Sequence, residues 1–494
     1  MFSIDWSLVL HQLTYDPSAP MIFSSGVFLL LFLGFSLVYL ALGRQTTLRL
    51  LFVTAFSYYF YYKSSGFYFF LLAIVTVSDY YLARMIAEVR DTSRLTAKFL
   101  IIFSLTLDLG LLFYFKYTNF FGSLWASLTG GTFSALDIFL PVGISFFTFQ
   151  SLSYTIDVYR GQLKPLNNIL DYAFYVSFFP QLVAGPIVRA RDFIPQIRRP
   201  FCVTNEMFGR AVFLILAGLF KKAVISDYIS VNFVERVFAQ PDLYSGLENL
   251  LAVYGYTLQI YCDFSGYSDM AIGIALMLGF QFPKNFDSPY KSQSITEFWR
   301  RWHISLSSWL KDYLYISLGG NRKGKFRQYL NLMITMLLGG LWHGASLNFI
   351  VWGGFHGLML VFDKLFNTSF LSKQKDNPSS VCWWRVVITF HLAAFGWIFF
   401  RNQTFEGSFL MLSQIFTNFQ PQIFLQWCTS YWAVGLLMLL GYVLHFLPQS
   451  WSERSQHLVT RSPLVLQALF IVVVIFIVIQ VKSSDVQPFI YFQF

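Results

Sequence analysis

Apolar residues run along the chain in long blocks separated by short polar breaks. Blocks such as "FLLLFLGFSLVYLAL" and "LQALFIVVVIFIVIQV" are apolar on every side rather than in alternation. A membrane β-barrel needs stretches of about ten residues of alternating polarity, whereas a helix crossing hydrocarbon needs about 20 apolar residues. The pattern therefore predicts helices, with candidate spans near 21–42, 48–62, 66–86, 98–117, 138–156 and 209–229, and later ones near 386–400, 431–447 and 464–481. Together with the segments between them these imply an all-α, polytopic membrane protein of about 11 transmembrane helices plus re-entrant segments. They form a single membrane domain over residues 1–494.

Four stretches depart from simple spans. In "FYVSFFPQLVAGPIVRARDF", Pro180, Gly185 and Pro186 break any helix. Such a segment, near 170–188, is expected to dip into the membrane and return, because irregular backbone at that depth survives only when shielded by protein or lining a cavity. The stretch from Leu247 to Gly279 would be about 50 Å long as one helix, longer than a bilayer core. It is expected to be broken or strongly tilted, with "CDFSGYSD" as the break. Asp263 and Asp269 sit there in apolar sequence, and intramembrane acids are functional candidates; helix caps at a kink are the plain alternative. "WHISLSSWLKDYLYISLGG" is too short and too charged to span, and fits an interfacial or re-entrant helix. It would place His303 at or just below the cytoplasmic surface.

The fourth stretch, 328–362, is apolar but bounded by Lys325 and Arg327 on one side and Lys364 on the other. It must enter the membrane and return, turning in "LLGGLWHGASLN", where Gly339, Gly340 and Gly344 permit non-helical backbone. Some fifteen helical residues after Arg327 then place His343 about 22 Å deep.

Charge sets the orientation. Arg84, Arg90, Arg94 and Lys98 fall together, as do Arg189, Arg191, Arg198 and Arg199, while 118–137 has no basic residue. By the positive-inside rule the basic loops are cytoplasmic, so residues 1–20 and the tail 482–494 are both expected to be extracytoplasmic. The first 20 residues lack Lys and Arg and so do not read as a signal peptide. Only 12% of residues are charged and 56% are hydrophobic, against about 25% charged in soluble domains. The net charge of +10 is spread over short loops, which argues against nucleic acid as a partner. Cys202, Cys262, Cys382 and Cys428 are too scattered for a disulfide framework or a zinc ribbon. No metal site is expected.

No phosphate-binding loop, dinucleotide fingerprint, HExxH or GxSxG is present. A histidine deep in the membrane is costly to protonate and stays available as a base. Acyl transfer from a thioester to an alcohol needs such a base, donors for the oxyanion and exclusion of water. His343, with Trp342, Ser346 and Asn348 nearby, has the residue types for this. From position alone a hydrogen-bonded packing histidine is an equal reading, and for His356, His391 and His445 it is the stronger one. Lys291, Arg300, Arg301, Lys311, Arg322 and Lys323 have the charge to grip an anionic donor, with Asn348 as a further donor contact. Topology setting and contact with anionic lipid are the competing reading.

"YKSQSITEFWRRWHISLSSWLKDYLYISLGGNRKG" (290–324) followed by "GGLWHGASLNFIVWGGFHG" (339–357) closely resembles the membrane-bound O-acyltransferases, in their bacterial branch concerned with alginate O-acetylation. "LPVGISFFTFQSLSYTIDVYRG", "FFPQLVAGPIVRARDF" and "QIYCDFSGYSDMAIGIALMLGF" resemble the same branch. The resemblance makes 284–364 the signature region. It implies a helical bundle with a central tunnel, a cytoplasmic acetyl-CoA donor, a central catalytic histidine at His343 and a second signature histidine at His303.

It also implies a bacterial inner-membrane enzyme passing acetyl groups to a periplasmic partner of the SGNH-hydrolase type, which esterifies an exported polysaccharide or peptidoglycan. The tail "FIYFQF" resembles an aromatic motif of acyl-relay systems, and Tyr491 falls on its acyl-accepting tyrosine; an interfacial anchor is the alternative for this tail. A D-alanyl or lipid O-acyltransferase of the same family, and a non-catalytic transporter using Asp263 and Asp269, remain open at this point.

Overall fold

The computed structural model describes residues 6–17, 20–369 and 381–481. Every regular element among them is helical. The chain forms two compact units, the first from Met1–Ile215 and Tyr267–Pro283, the second from Leu216–Gly266 and Lys284–Phe492.

In the first unit, Ser25 caps helix Gly26–Leu42 by accepting from the Phe28 amide at 3.2 Å. The spans expected near 48–62 and 66–86 are helices Thr46–Ser65 and Phe69–Val89. They part at Gly66, whose φ of +61° is open to glycine and strained for most other residues. Helix Arg94–Thr129 runs well past the span expected at 98–117, into residues read as an outer loop. Nothing there interrupts it until Gly130 and Gly131. Around 170–188 the chain breaks as expected into Ile169–Ser177 and Phe179–Leu182, then runs without helix to Arg189. This irregular backbone is buried beneath aromatic rings: Phe178 lies 4.9 Å from Phe174 and 5.1 Å from Phe280, centroid to centroid.

The span expected at 209–229 is longer in the structure. Helix Asn205–Leu219 continues through π-helical turns at Phe220–Ser226 and Ser230–Val234 to Ala239. The break expected at "CDFSGYSD" is absent, since Gly246–Met277 is one helix of 32 residues. Asp263 needs no break because Lys222, carried on the first π-helical turn, ion-pairs with it and with Asp227, the latter at 2.8 Å.

In the second unit Ile295–Arg301, Ile304–Trp309 and a π-helical turn at Leu310–Tyr315 form short pieces unable to span. The hairpin expected over 328–362 is present as Lys325–His343 and Leu347–Ser369, joined by three residues. Gly339 and Gly340 are helical, and only Gly344 belongs to the turn. Gly340 serves packing instead: a Cβ there would lie 2.2 Å from the Phe349 carbonyl oxygen, and one on Gly353 2.3 Å from that of Met336. Small residues let two membrane helices approach backbone to backbone in this way.

Helices Trp383–Arg401, Phe405–Thr417, Phe424–Ser430, Trp432–Phe446, Gln449–Arg461 and Leu464–Val481 complete the unit. Among the described residues four helical stretches are long and apolar enough to cross a membrane: Thr46–Val89, Arg94–Thr129, Leu347–Phe366 and Trp383–Arg401. A fifth appears if Pro421–Ser430 and Trp432–Phe446, bent by 97°, act as one. The tail 482–494, with Tyr491, and residues 1–5 lie outside the described residues.

Candidate active site

The hairpin and the short helices before it build an aromatic chamber around two histidines. His343 is the last residue of the entering arm and is buried, 3% exposed. Its ring centroid lies 5.1 Å from Trp342, 5.0 Å from Trp352 on the returning arm and 5.2 Å from Phe400.

His303 is fully buried within the protein. It sits between Arg301 and Ile304 at φ +42°, a left-handed conformation that turns one short helix into the next. Its Nδ1 is 3.2 Å from Asn285 Oδ1, which also accepts from Ser305 Oγ at 2.9 Å. The Nδ1–H tautomer satisfies that contact and leaves Nε2 as the ring acceptor. Phe264 packs edge-on against the ring at 4.6 Å, and Trp342 at 6.1 Å. Both histidines, placed at different depths by the sequence, thus share contact with one side chain, Trp342.

Of the remaining candidates, Asn348 is held by structure. Its amide nitrogen donates to the carbonyls of Asn402 (2.7 Å) and Thr404 (3.0 Å), so it has no hydrogen left for an oxyanion. Its Oδ1 has no hydrogen-bond partner among the described residues. The expected donor-gripping set is not brought together. Lys291 donates to the Leu447 carbonyl at 2.6 Å, Arg301 pairs with Glu297 and Asp287, and Lys311 and Arg322 are exposed. Loop cations near acids are used locally, and a sequence does not display that.

A different basic site forms instead. Arg300, Lys325, Lys364 and Arg385, with Glu297 and Gln328 among the other lining residues, surround a cavity of about 540 Å³. Only Arg300 was anticipated, because the other three come from separate helices. Arg385 stands in the first turn of helix Trp383–Arg401, and a second cavity of about 910 Å³ opens at that helix's other end. It is lined in part by Asp242, Arg401, Asn402, Thr404, Glu406 and Phe409. His343, against Phe400, is near that second end.

Two further buried groups stand on the returning arm: Trp352, which sequence reasoning passed over and which packs on His343, and His356, read from sequence as a packing histidine. Trp352 Nε1 and His356 Nε2 have no hydrogen-bond partner among the described residues, although both residues are almost completely buried and their rings touch at 4.9 Å. His356 Nδ1 accepts weakly from Trp299 Nε1 at 3.4 Å. Their spacing, four residues apart on one helix, was the available signal that they share a face. The chamber therefore combines a buried imidazole, unsatisfied donors and water-excluding rings, which is the equipment of a general-base acyl transfer.

Known proteins bear on this arrangement. The chain is 42% identical over 403 residues to the probable alginate O-acetylase AlgI of Pseudomonas aeruginosa, covering 80% of this chain and 75% of that protein. It is 36% identical over 362 residues to a peptidoglycan O-acetyltransferase of Helicobacter pylori, covering 68% of each. It is 30% identical over 285 residues to a teichoic acid D-alanyltransferase of Bacillus subtilis, covering 54% of this chain and 69% of the relative. The profile of the family described as membrane-bound O-acyltransferase matches residues 56–403. With that match, and relatives of this identity and coverage, the chain belongs to the membrane-bound O-acyltransferase family and is an O-acyltransferase of the membrane.

Proposed function

We propose that this enzyme takes acetyl groups from cytoplasmic acetyl-CoA and passes them across the bacterial inner membrane, for O-acetylation of an exported, alginate-like polysaccharide or of the cell wall through a periplasmic partner. The observation that carries the reading is the seating of His343 in a buried aromatic chamber, at the tip of the glycine-packed hairpin. The four cations around the 540 Å³ cavity suit the phosphates of coenzyme A. They take the donor role first given to Lys291, Arg301, Lys311 and Arg322. The fold in this reading has about eleven crossings, with the donor arriving at the Arg385 end of helix Trp383–Arg401 and the acceptor at the Arg401 end.

In the reaction, the His343 imidazole takes the proton of the acceptor hydroxyl as its oxygen attacks the thioester carbonyl. Trp352 Nε1–H is a neighbouring donor for the oxyanion. The C–O bond forms, the C–S bond breaks, and the proton passes from the imidazolium to the departing thiolate. Tyr491 is the first acceptor hydroxyl in this scheme, relaying acetyl to a partner serine. His303 positions Trp342 against His343.

The test is transfer of radiolabelled acetyl from acetyl-CoA to the purified protein, comparing wild type with His343→Ala and Tyr491→Phe. Loss of a general base costs about 10²–10⁴-fold in rate. Undiminished labelling of His343→Ala would overturn the role of that residue, and labelling that survives only Tyr491→Phe would discard the tyrosine carrier. The similarity to a teichoic acid D-alanyltransferase supports a second reading, with D-alanine as the group moved. Labelling from a D-alanyl carrier protein but not from acetyl-CoA would select it.

A further inference from the structure

Away from the histidine chamber, the first unit buries two acids against each other. Asp79 on helix Phe69–Val89 and Asp108 on helix Arg94–Thr129 are both without solvent exposure. Asp79 is well supplied with donors: Ser104 Oγ donates to its Oδ1 at 2.9 Å, and Ser151 Oγ to its Oδ2. The Tyr172 hydroxyl lies 2.7 Å from Ser151 Oγ and extends this network. Asp108 differs. Its carboxyl lies within hydrogen-bond reach of that of Asp79, and among the described residues neither of its oxygens receives a donor from a hydroxyl, an amide or a cation.

The surrounding charges do not resolve the conflict. Helices Phe69–Val89, Ile144–Tyr159 and Ile169–Ser177 contribute Tyr80, Tyr154 and Tyr172, and the nearby Arg84 guanidinium donates to the Tyr80 hydroxyl at 3.1 Å. No ion pair to Asp79 or Asp108 forms among the described residues. Two ionised carboxylates in contact repel each other, and more strongly in apolar surroundings than in water. A positive charge must lie between them.

We propose that Asp79 and Asp108, with the hydroxyls of Ser104, Ser151 and Tyr172 around them, form a membrane-buried site for one monovalent cation, a proton or a sodium ion. The hydroxyl geometry orients the occupant. Asp79, accepting at both oxygens, is the ionised member, and the undonated oxygens of Asp108 are the side on which the cation is held. As a proton it sits on Asp108 and is donated to Asp79; as sodium it is bound by both carboxylates with hydroxyl lone pairs. A divalent ion is a poorer occupant, because calcium takes six to eight oxygens and magnesium keeps several waters. Among the described residues no group of three or more His, Cys, Asp or Glu gathers for one.

The site is independent of the acyl-transfer reading, so its test does not use activity. The full-length protein in nanodiscs is melted in sodium chloride and in choline chloride of equal ionic strength, and its carboxyl carbonyl region is recorded by infrared spectroscopy at neutral pH, for wild type and Asp108→Asn. A proton gives a protonated-carboxyl band that Asp108→Asn abolishes, with melting indifferent to sodium. A sodium ion gives a melting temperature that climbs with sodium but not choline, and Asp108→Asn removes that climb. Wild type with neither signal overturns the proposal. If Asp108→Asn fails to accumulate, Ser104→Ala reports instead: it should shift the carboxyl band or raise the sodium needed for half the melting increase, and an unchanged response in both would also overturn the site.

Discussion

His303 is held by its backbone as much as by its ring. At φ +42° a β-branched residue is strained by about 1–3 kcal/mol, whereas Asn enters the left-handed region readily. His303→Asn is therefore expected to accumulate and melt close to wild type, and His303→Val to melt lower. Burial pushes the His303 imidazole down to about 3, below the ordinary value of about 6.5. The folded protein thus keeps this ring neutral while the unfolded chain takes up a proton below about pH 6.5. The contribution is complete above that pH and is lost progressively as pH falls from about 6.5 toward about 3. Melting at pH 5 and pH 7.5 checks this: His303→Asn should lose less on acidification than wild type does. Lys222 makes a second residue-scale case. Removing it in Lys222→Met leaves the buried Asp263 and the partly buried Asp227 without their shared cation, a loss of about 3–5 kcal/mol for the broken buried pair with Asp263. Adding Asp263→Asn should recover part of the melting temperature; a single variant that melts like wild type would show that the pair holds nothing. Asp263 stood out in the sequence as an acid among apolar residues, but nothing in one dimension pairs it with Lys222, which lies inside the span expected at 209–229. Only the three-dimensional pairing explains why the helix stays unbroken.

The elements divide by how their cause is written. The hairpin was legible because basic residues bound both ends of one apolar stretch, and a chain cannot end a crossing on the side where it began without turning. The broken segment near 170–188 was legible from Pro180 and Pro186, whose effect on the backbone is local. What was not legible was the use of Gly340, since a glycine that permits a turn and a glycine that permits contact look the same in one dimension. The structure separates them, and Gly353→Val tests the second use. A side chain there meets the Met336 carbonyl, part of the opposing backbone, which cannot swing aside. Overpacking costs about 1–3 kcal/mol, and with backbone as the obstacle the upper end is expected. Loss of folded protein in detergent is the readout, with Gly354→Ala, which meets only a Leu337 methyl at 3.5 Å, as the tolerated neighbour.

At the scale of the whole molecule, the fold gathers charges from distant parts of the chain. Arg300, Lys325, Lys364 and Arg385 reach one cavity from four helices. Their neighbours in sequence, Lys291 and Arg301, are tied to a carbonyl and to acids. Counting loop cations therefore does not reveal which of them the fold gathers around one cavity, and of the set read from the sequence only Arg300 lines it. If the cavity holds the donor's phosphates, Arg300→Glu should raise KM for acetyl-CoA about tenfold or more while leaving kcat within about twofold, because a contact made equally in ground and transition state affects binding alone. Added salt should raise the wild-type KM in the same direction, and a KM unmoved by either would place the donor elsewhere. The hairpin bears finally on how such a protein is made. Its returning arm, Leu347–Phe366, is apolar enough to cross a bilayer, whereas Lys325–His343, carrying buried Asn331, Thr335 and His343, does not qualify on its own. The entering arm is therefore expected to insert poorly by itself and well as a hairpin, which a membrane-insertion reporter fused after His343 and after Ser369 would separate.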